Sequence, residues 1–322
     1  MKSKALRFLT PLLLALFNGM ALTGQFAELP DSVLTIPDGF TAKPVVTGIS
    51  RLEGMKLIND NTFLIASFNN PPGIFRIKKG ETFDPQKHKV ATGQEFNKAL
   101  DVIHYPDGTI FSLVNWKKMY KTDHETESTR LYMSEDSVRI PVAFRPFAFE
   151  IVPPEFKGPN IDPGDIIVAN GDLFNKRNWA VFGINPKTRQ IRPLAVSSVL
   201  SGSPGTIAFG EEGKLFLLQH FTNRISNLIV LDPEGNAKSY CAYLPAKGEI
   251  TVNPVTGDLF MMLRPYSQFK RQIWCFPAGN NRPYKFATAV NKRLLRDLVF
   301  SPDGNTLYAG YGKDIIAING PF

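Results

Sequence analysis

Only two cysteines and four histidines occur in the 322 residues of this chain. It contains no CxxC-type cluster, HExxH, GxSxG, GxGxxG or P-loop, so zinc centres, nucleophile elbows, dinucleotide folds and phosphate-cradling loops are not legible in it. No block of Lys and Arg is present either. The formal charge of +8 includes Lys2, Lys4 and Arg7. Without them 34 Lys and Arg face 29 Asp and Glu, a net +5 that does not point to nucleic acid. Beyond residue 24 there is no N-x-S/T sequon, which leans towards a bacterial periplasm over a glycosylating secretory route.

Long apolar runs are also missing, with one exception. Phe8 to Leu22 follows the basic residues, and Gly19, Ala21 and Thr23 lie where a signal peptidase cuts. Residues 1–24 therefore read as a secretory signal, and the Pro- and Asn-interrupted run is too short for a retained anchor. The mature chain, 25–322, is expected to be secreted or periplasmic, free of the membrane, and a single domain.

What is abundant is repetition. RDLVFSPDGNTLYAGYGKDIIAI (Arg296 to Ile318) is three short apolar runs around tight turns, the pattern of antiparallel strands. The phrase recurs as MKLINDNTFLIAS, DVIHYPDGTIFSL, TIAFGEEGKLFLL and ITVNPVTGDLFMM, with a looser form, FEIVPPEFKGPNIDPGDIIVA, that carries an insertion. The turn residues Asn61, Gly108, Gly164, Gly213, Gly257 and Gly304 step by 47, 56, 49, 44 and 47 residues. Steps of this size, each holding several strands, predict an all-β fold, a six-bladed β-propeller. The last repeat has only three strands, whereas TAKPVVTG (Thr41 to Gly48) has no blade of its own. That N-terminal strand is expected to complete the sixth blade and close the ring. Cys241 and Cys275 fall in late strands of blades four and five, where a disulfide and two free core thiols are equally compatible with export.

In a propeller the inner strands all begin at one mouth of the channel, and the loops joining second to third strands return to it. Counting from the turns places Glu53, Leu100, Gly205, Glu249 and Arg296 at that mouth, with Gly54, Asp101, Thr206, Ile250 and Asp297 one residue further in. The second strands end near Phe68, Asn115, Gly171, His220, Arg264 and Tyr311. With Trp116 and Asn170 in the adjoining loops, this mouth is expected to form a small-molecule site. Each residue also has a plainer role: Asp101 and Asp297 capping backbone N–H groups, His220 a loop residue, Arg264 and Arg296 pairing with the mouth carboxylates. The PDG turns belong to the far face and read as structural.

The opening PDGFTAKPVVTGISRLEGMKLINDNTFLIAS, the Glu at the first inner strand and the PDG-type repeats resemble the six-bladed gluconolactonase and senescence-marker-protein group, luciferin-regenerating enzymes included. The opening is also similar to that of sorbosone-dehydrogenase-like quinoprotein propellers. The first resemblance implies a lactonase-like hydrolase with one divalent cation, usually calcium, in the channel. Carried over, Glu53 matches the family's Glu, but Leu100, Gly205 and Arg296 stand where Asn and Asp are expected, so Glu249 and Asn170 complete the candidate metal set. His220, Asp101 and Arg264 are the candidate catalytic groups. Asn115, Trp116, Arg296 and Tyr311 are the candidate substrate contacts. A non-catalytic binding propeller and a quinone-dependent dehydrogenase remain as alternatives.

Overall fold

The structure is a computed structural model that describes residues 34–123, 126–136, 142–221, 225–244, 248–263, 271–279, 282–289 and 295–322. The signal at residues 1–24 and Arg264 lie outside them.

Six antiparallel sheets form the six blades. Their inner strands are Leu52–Asn59, Ala99–His104, Pro146–Ile151, Ser203–Phe209, Ile250–Val252 and Leu295–Phe300. Each sheet then steps outward through successive hairpins, and short turns enforce that order. In blade two, for example, Asp107 accepts a hydrogen bond from Thr109 N (2.8 Å) while Gly108 sits at φ +85°, a left-handed turn position that favours glycine. The ring closes as the repeat implies. Thr41–Thr47 pairs antiparallel with the last strand, Asp314–Asn319, from Thr41 opposite Asn319 to Val46 opposite Ile315. A further two-residue strand from blade one, Glu81–Thr82, adds in parallel outside Thr41–Thr47 and straps the closure. Leu34–Thr35 similarly extends blade five.

The buried apolar side chains form six clusters, and each is a seam between neighbouring blades. A four-stranded sheet has two apolar faces and cannot cover both alone; stacking around a ring covers them all. In the seam between blades five and six, Phe40, Phe260, Phe286, Phe300 and Phe322 pack mostly edge to face at centroid distances of 5.0–5.6 Å. Cys241 and Cys275 are both free thiols, the latter fully buried.

Five of the six inner strands begin with a register irregularity: at Leu52/Gly54, Ala99/Asp101, Pro146/Ala148, Pro204/Ile207 and Arg296/Leu298. A bulge adds twist and re-aims the side chains beside it. Here it turns the start of each inner strand into the channel.

Candidate functional site

Two tiers of charged side chains occupy the channel. The upper tier lies where the inner strands begin. Arg51 donates from Nε to Glu53 Oε1 at 2.6 Å, and Arg296, from blade six, donates to Glu53 Oε2. The Arg51 guanidinium lies 3.8 Å from the centre of the Phe68 ring, and Phe68 meets Trp116 edge on at 6.2 Å. Asn115 and Trp116 form the hairpin turn of blade two with φ of 55° and 54°. With Lys117 they make the three-residue loop between Val114 and Lys118, closed by Lys117 N donating to Val114 O at 3.2 Å.

The lower tier comes from the same strands one or two inward-facing positions on. Asp101 accepts hydrogen bonds from its own blade, Val102 N at 2.8 Å, and from the next, Phe149 N at 3.3 Å. Asp297 does the same for blades six and one, accepting from Leu298 N at 2.7 Å and from Met55 N. At the equivalent count in blade four, Thr206 donates to Gly248 O at 3.0 Å, clasping blade five. So at this level of the channel blades two, four and six each carry a polar clasp to the following blade. Lys56 of blade one pairs with Glu150 of blade three across the inner strand of blade two.

Glu249 differs from these carboxylates. Its backbone carbonyl accepts from Met262 N at 2.9 Å, but among the described residues no donor hydrogen-bonds its carboxylate, which lies in the field of Asp297, Asp101 and Glu53, with Lys56 opposing them. Burial pushes its carboxyl well above the usual range, and the neighbouring negative charges add to the shift. Burial likewise raises Asp101 to about 6, against the pull of Lys56, and Asp297 to about 7, where Asp101 adds to it. Burial alone would lower the Lys56 ammonium, but Glu150, Asp101 and Asp297 together outweigh it and hold it above its ordinary value.

This lower tier lines a cavity of about 420 Å³ that includes Lys56, Asp101, Glu150, Glu249 and Asp297 and runs on to Pro254 and Pro302. The sequence placed the site at the mouth where inner strands begin. This cavity runs from Glu249, Asp101 and Asp297 past the SPDG turn that reads as structural, while the Arg51–Glu53–Arg296 network stands where the inner strands begin.

The residues expected to act together are therefore spread out. Asn170 is fully buried in blade three, where its amide donates to Ala143 O at 3.0 Å and Asn178 O at 2.7 Å and its oxygen accepts from Arg145 N. Its polar atoms are spent on holding that loop. Glu53 is spent on two guanidiniums. As a set, Glu53, Glu249 and Asn170 do not offer a hard cation the six or more oxygens it wants, and among the described residues no three of His, Cys, Asp or Glu group closely enough to hold a metal ion. His220 is buried in blade four with Nδ1 2.7 Å from Ser226 Oγ, its ring filling the space left by Gly205. Tyr311 is a fully buried member of the seam between blades five and six. Of the candidates, Glu249 and Asp101 line the cavity, while Glu53, Arg296 and Trp116 form the upper tier. Lys56 and Glu150 were missed. Lys56 was open to detection, as a second charge in the strand Leu52–Asn59, two residues beyond Gly54.

No protein-family model matches the chain, and no curated protein matches it. Among solved structures it is similar to the PQQ domain of pyranose dehydrogenase from Coprinopsis cinerea (12% identity, TM-score 0.64, covering 90% of this chain and 98% of that one). It is also similar to a gluconolactonase from Xanthomonas campestris (12%, TM-score 0.62, 89% and 91%) and to a family AA12 carbohydrate-active enzyme of Trichoderma reesei (10%, 0.60, 90% and 98%). At these identities the likeness is one of fold.

Proposed function

We propose that the protein is an exported hydrolase of small, oxygen-rich molecules, a lactone or a comparable ester, working in the lower half of the propeller channel. The observation that carries this reading is Glu249: a carboxyl to which no donor hydrogen-bonds among the described residues, lining a cavity of about 420 Å³, with its proton affinity raised well above the usual carboxylate range by burial. A general acid or base is most effective when its pKa lies near the working pH. In this scheme Glu249 takes the proton of a water that attacks the acyl carbon, and later returns it to the leaving oxygen. The Lys56 ammonium, held in the same cavity by Glu150, faces the negative charge that develops on the carbonyl oxygen. Asp101 and Asp297, already clasped by backbone N–H groups, keep the inner strands in place and, by their charge, raise the proton affinity of the Glu249 carboxylate that acts as the base. The gluconolactonase among the similar structures is consistent with this chemistry.

The test is hydrolysis of a panel of aldonolactones and aryl esters by the full mature chain. Glu249→Gln is expected to lower kcat by about a hundredfold or more with KM nearly unchanged, the range for removal of a general base. Turnover that survives this substitution would defeat the assignment. Thermal stabilisation by calcium that vanishes in Glu249→Gln would make the channel a cation site instead, and ligand stabilisation without turnover would make it a binding propeller.

A further inference from the structure

On the face where the inner strands end, the cleft between blades one and two gathers cations. A cavity of about 430 Å³ there is lined by Arg76, Lys78, Lys87, His88 and His104, with Glu81 its single carboxylate. An adjoining cavity of about 230 Å³ shares Arg76, Lys87 and His88 and adds Lys89, with Asp123 and Glu127 among its other lining residues. The comparable clefts elsewhere on this face mix their signs. Between blades two and three Asp107 and Asp165 face Lys121 and Lys187, and between blades four and five Glu211 faces Lys214 and Lys238.

Glu81 offsets only one of these cations, Lys87, and leaves Arg76 and Lys78 uncompensated. It accepts from Lys87 Nζ at 2.7 Å and from Lys78 N at 3.0 Å, and the Lys87 hydrogen bond is the main reason its carboxyl is held below the usual range. Arg76 and Lys78 make no ion pair among the described residues. Their side chains leave neighbouring positions on one face of the strand Gly73–Lys78 and stay exposed. His88 forms a fixed wall. It is only 5% exposed, it stacks on Phe83, and its Nδ1 accepts a hydrogen bond from Asp84 N at 2.9 Å, which leaves the ring proton on Nε2. That Nε2 lies 3.1 Å from Glu81 Oε2 yet has no partner in hydrogen-bonding geometry.

We propose that this cleft binds a phosphate- or sulfate-type oxyanion, either free or as the monoester of a small molecule. An unpaired guanidinium presents two parallel N–H donors that match two oxygens of such an anion, and Lys78 beside it supplies a point charge. The volume accommodates the anion with room for a small attached group. The site lies outside the channel and does not depend on the hydrolase reading.

Calorimetric titration and thermal shift of the full mature chain with inorganic phosphate, against chloride at equal ionic strength, test the proposal. Phosphate is expected to bind and to raise Tm, and Arg76→Ala to weaken binding about tenfold or more, with Arg76→Lys intermediate because charge alone replaces the fork. Arg76 is exposed, so these variants should fold, which circular dichroism checks. Glu249→Gln should bind phosphate as the parent does. Glucose 6-phosphate serves as the ester probe: affinity equal to or above that of phosphate assigns the site to esters, and weaker affinity assigns it to the free ion. No phosphate effect beyond chloride, or an effect unchanged in the Arg76→Ala, Lys78→Ala double variant, overturns the proposal.

Discussion

In the channel, Asp101 and Asp297 sit deep under backbone N–H groups of two blades at once, whereas in the flank cleft Arg76 and Lys78 extend from exposed strand positions. Both places concentrate charge of one sign. The consequences differ because desolvation acts on one and hardly on the other. Below the surface, burial raises Asp101, Glu249 and Asp297, and the excess of carboxylates over the one ammonium adds to the shift. At the surface, cations remain solvated, and the imbalance is left for an incoming anion. In the proposed reading, fixed position serves chemistry in the channel and accessible charge serves anion capture in the cleft.

The sharpest way to break this contrast is to remove a clasp. Asp297→Ala leaves Met55 N and Leu298 N without acceptors at the seam between blades six and one, and is expected to cost about 2–3 kcal/mol of stability, read from the urea midpoint. Glu53→Gln, which unbalances Arg51 and Arg296, should cost less, about 1–2 kcal/mol by the same measurement. A loss of 2–3 kcal/mol in Arg76→Ala would erase the distinction between the regions; about 0.5 kcal/mol or less is expected there, as for other exposed positions.

The channel also predicts a pH dependence. The folded protein binds protons at Asp101 and Asp297 up to about 6 and about 7, while the same carboxyls in the unfolded chain release them near 4. Between those limits the folded state holds more protons, so stability falls as pH rises from about 4 to about 7. Glu249→Gln removes one of the coupled charges. It is expected to stabilise the protein at pH 8 and to make little difference below pH 4, as chemical denaturation across that range will show.

The ring was legible in the sequence because its turns are punctuated: Gly108, Gly164, Gly213, Gly257 and Gly304 all adopt the left-handed conformation that fixes each blade's first hairpin. The closing role of Thr41–Thr47 was legible from the missing fourth strand of the last blade. The site was only half legible. Counting along each strand located Glu53, Asp101, Glu249 and Asp297 on the channel, but not who holds them, since Arg296 reaches Glu53 from the far end of the chain and Asp101 reaches forward to Phe149. Glu150 was hidden by the insertion in the turn of blade three, which spoils the count. Asn170 and His220 sit near the positions expected of them, but the partners that absorb them, Ala143, Asn178 and Ser226, come from loops and neighbouring strands that no periodicity marks.

The closure formed by Thr41–Thr47 against Asp314–Asn319 also sets an order of events. Those two strands stand at nearly opposite ends of the described chain, so their pairing carries about the greatest loop-closure entropy of any contact in the molecule and is expected to form late. Until it does, the last blade presents a bare sheet edge, the kind of surface on which chains stick to one another. A protein that folds after export would complete this step outside the cytoplasm, and its refolding yield would then be governed by how quickly the first strand finds the last.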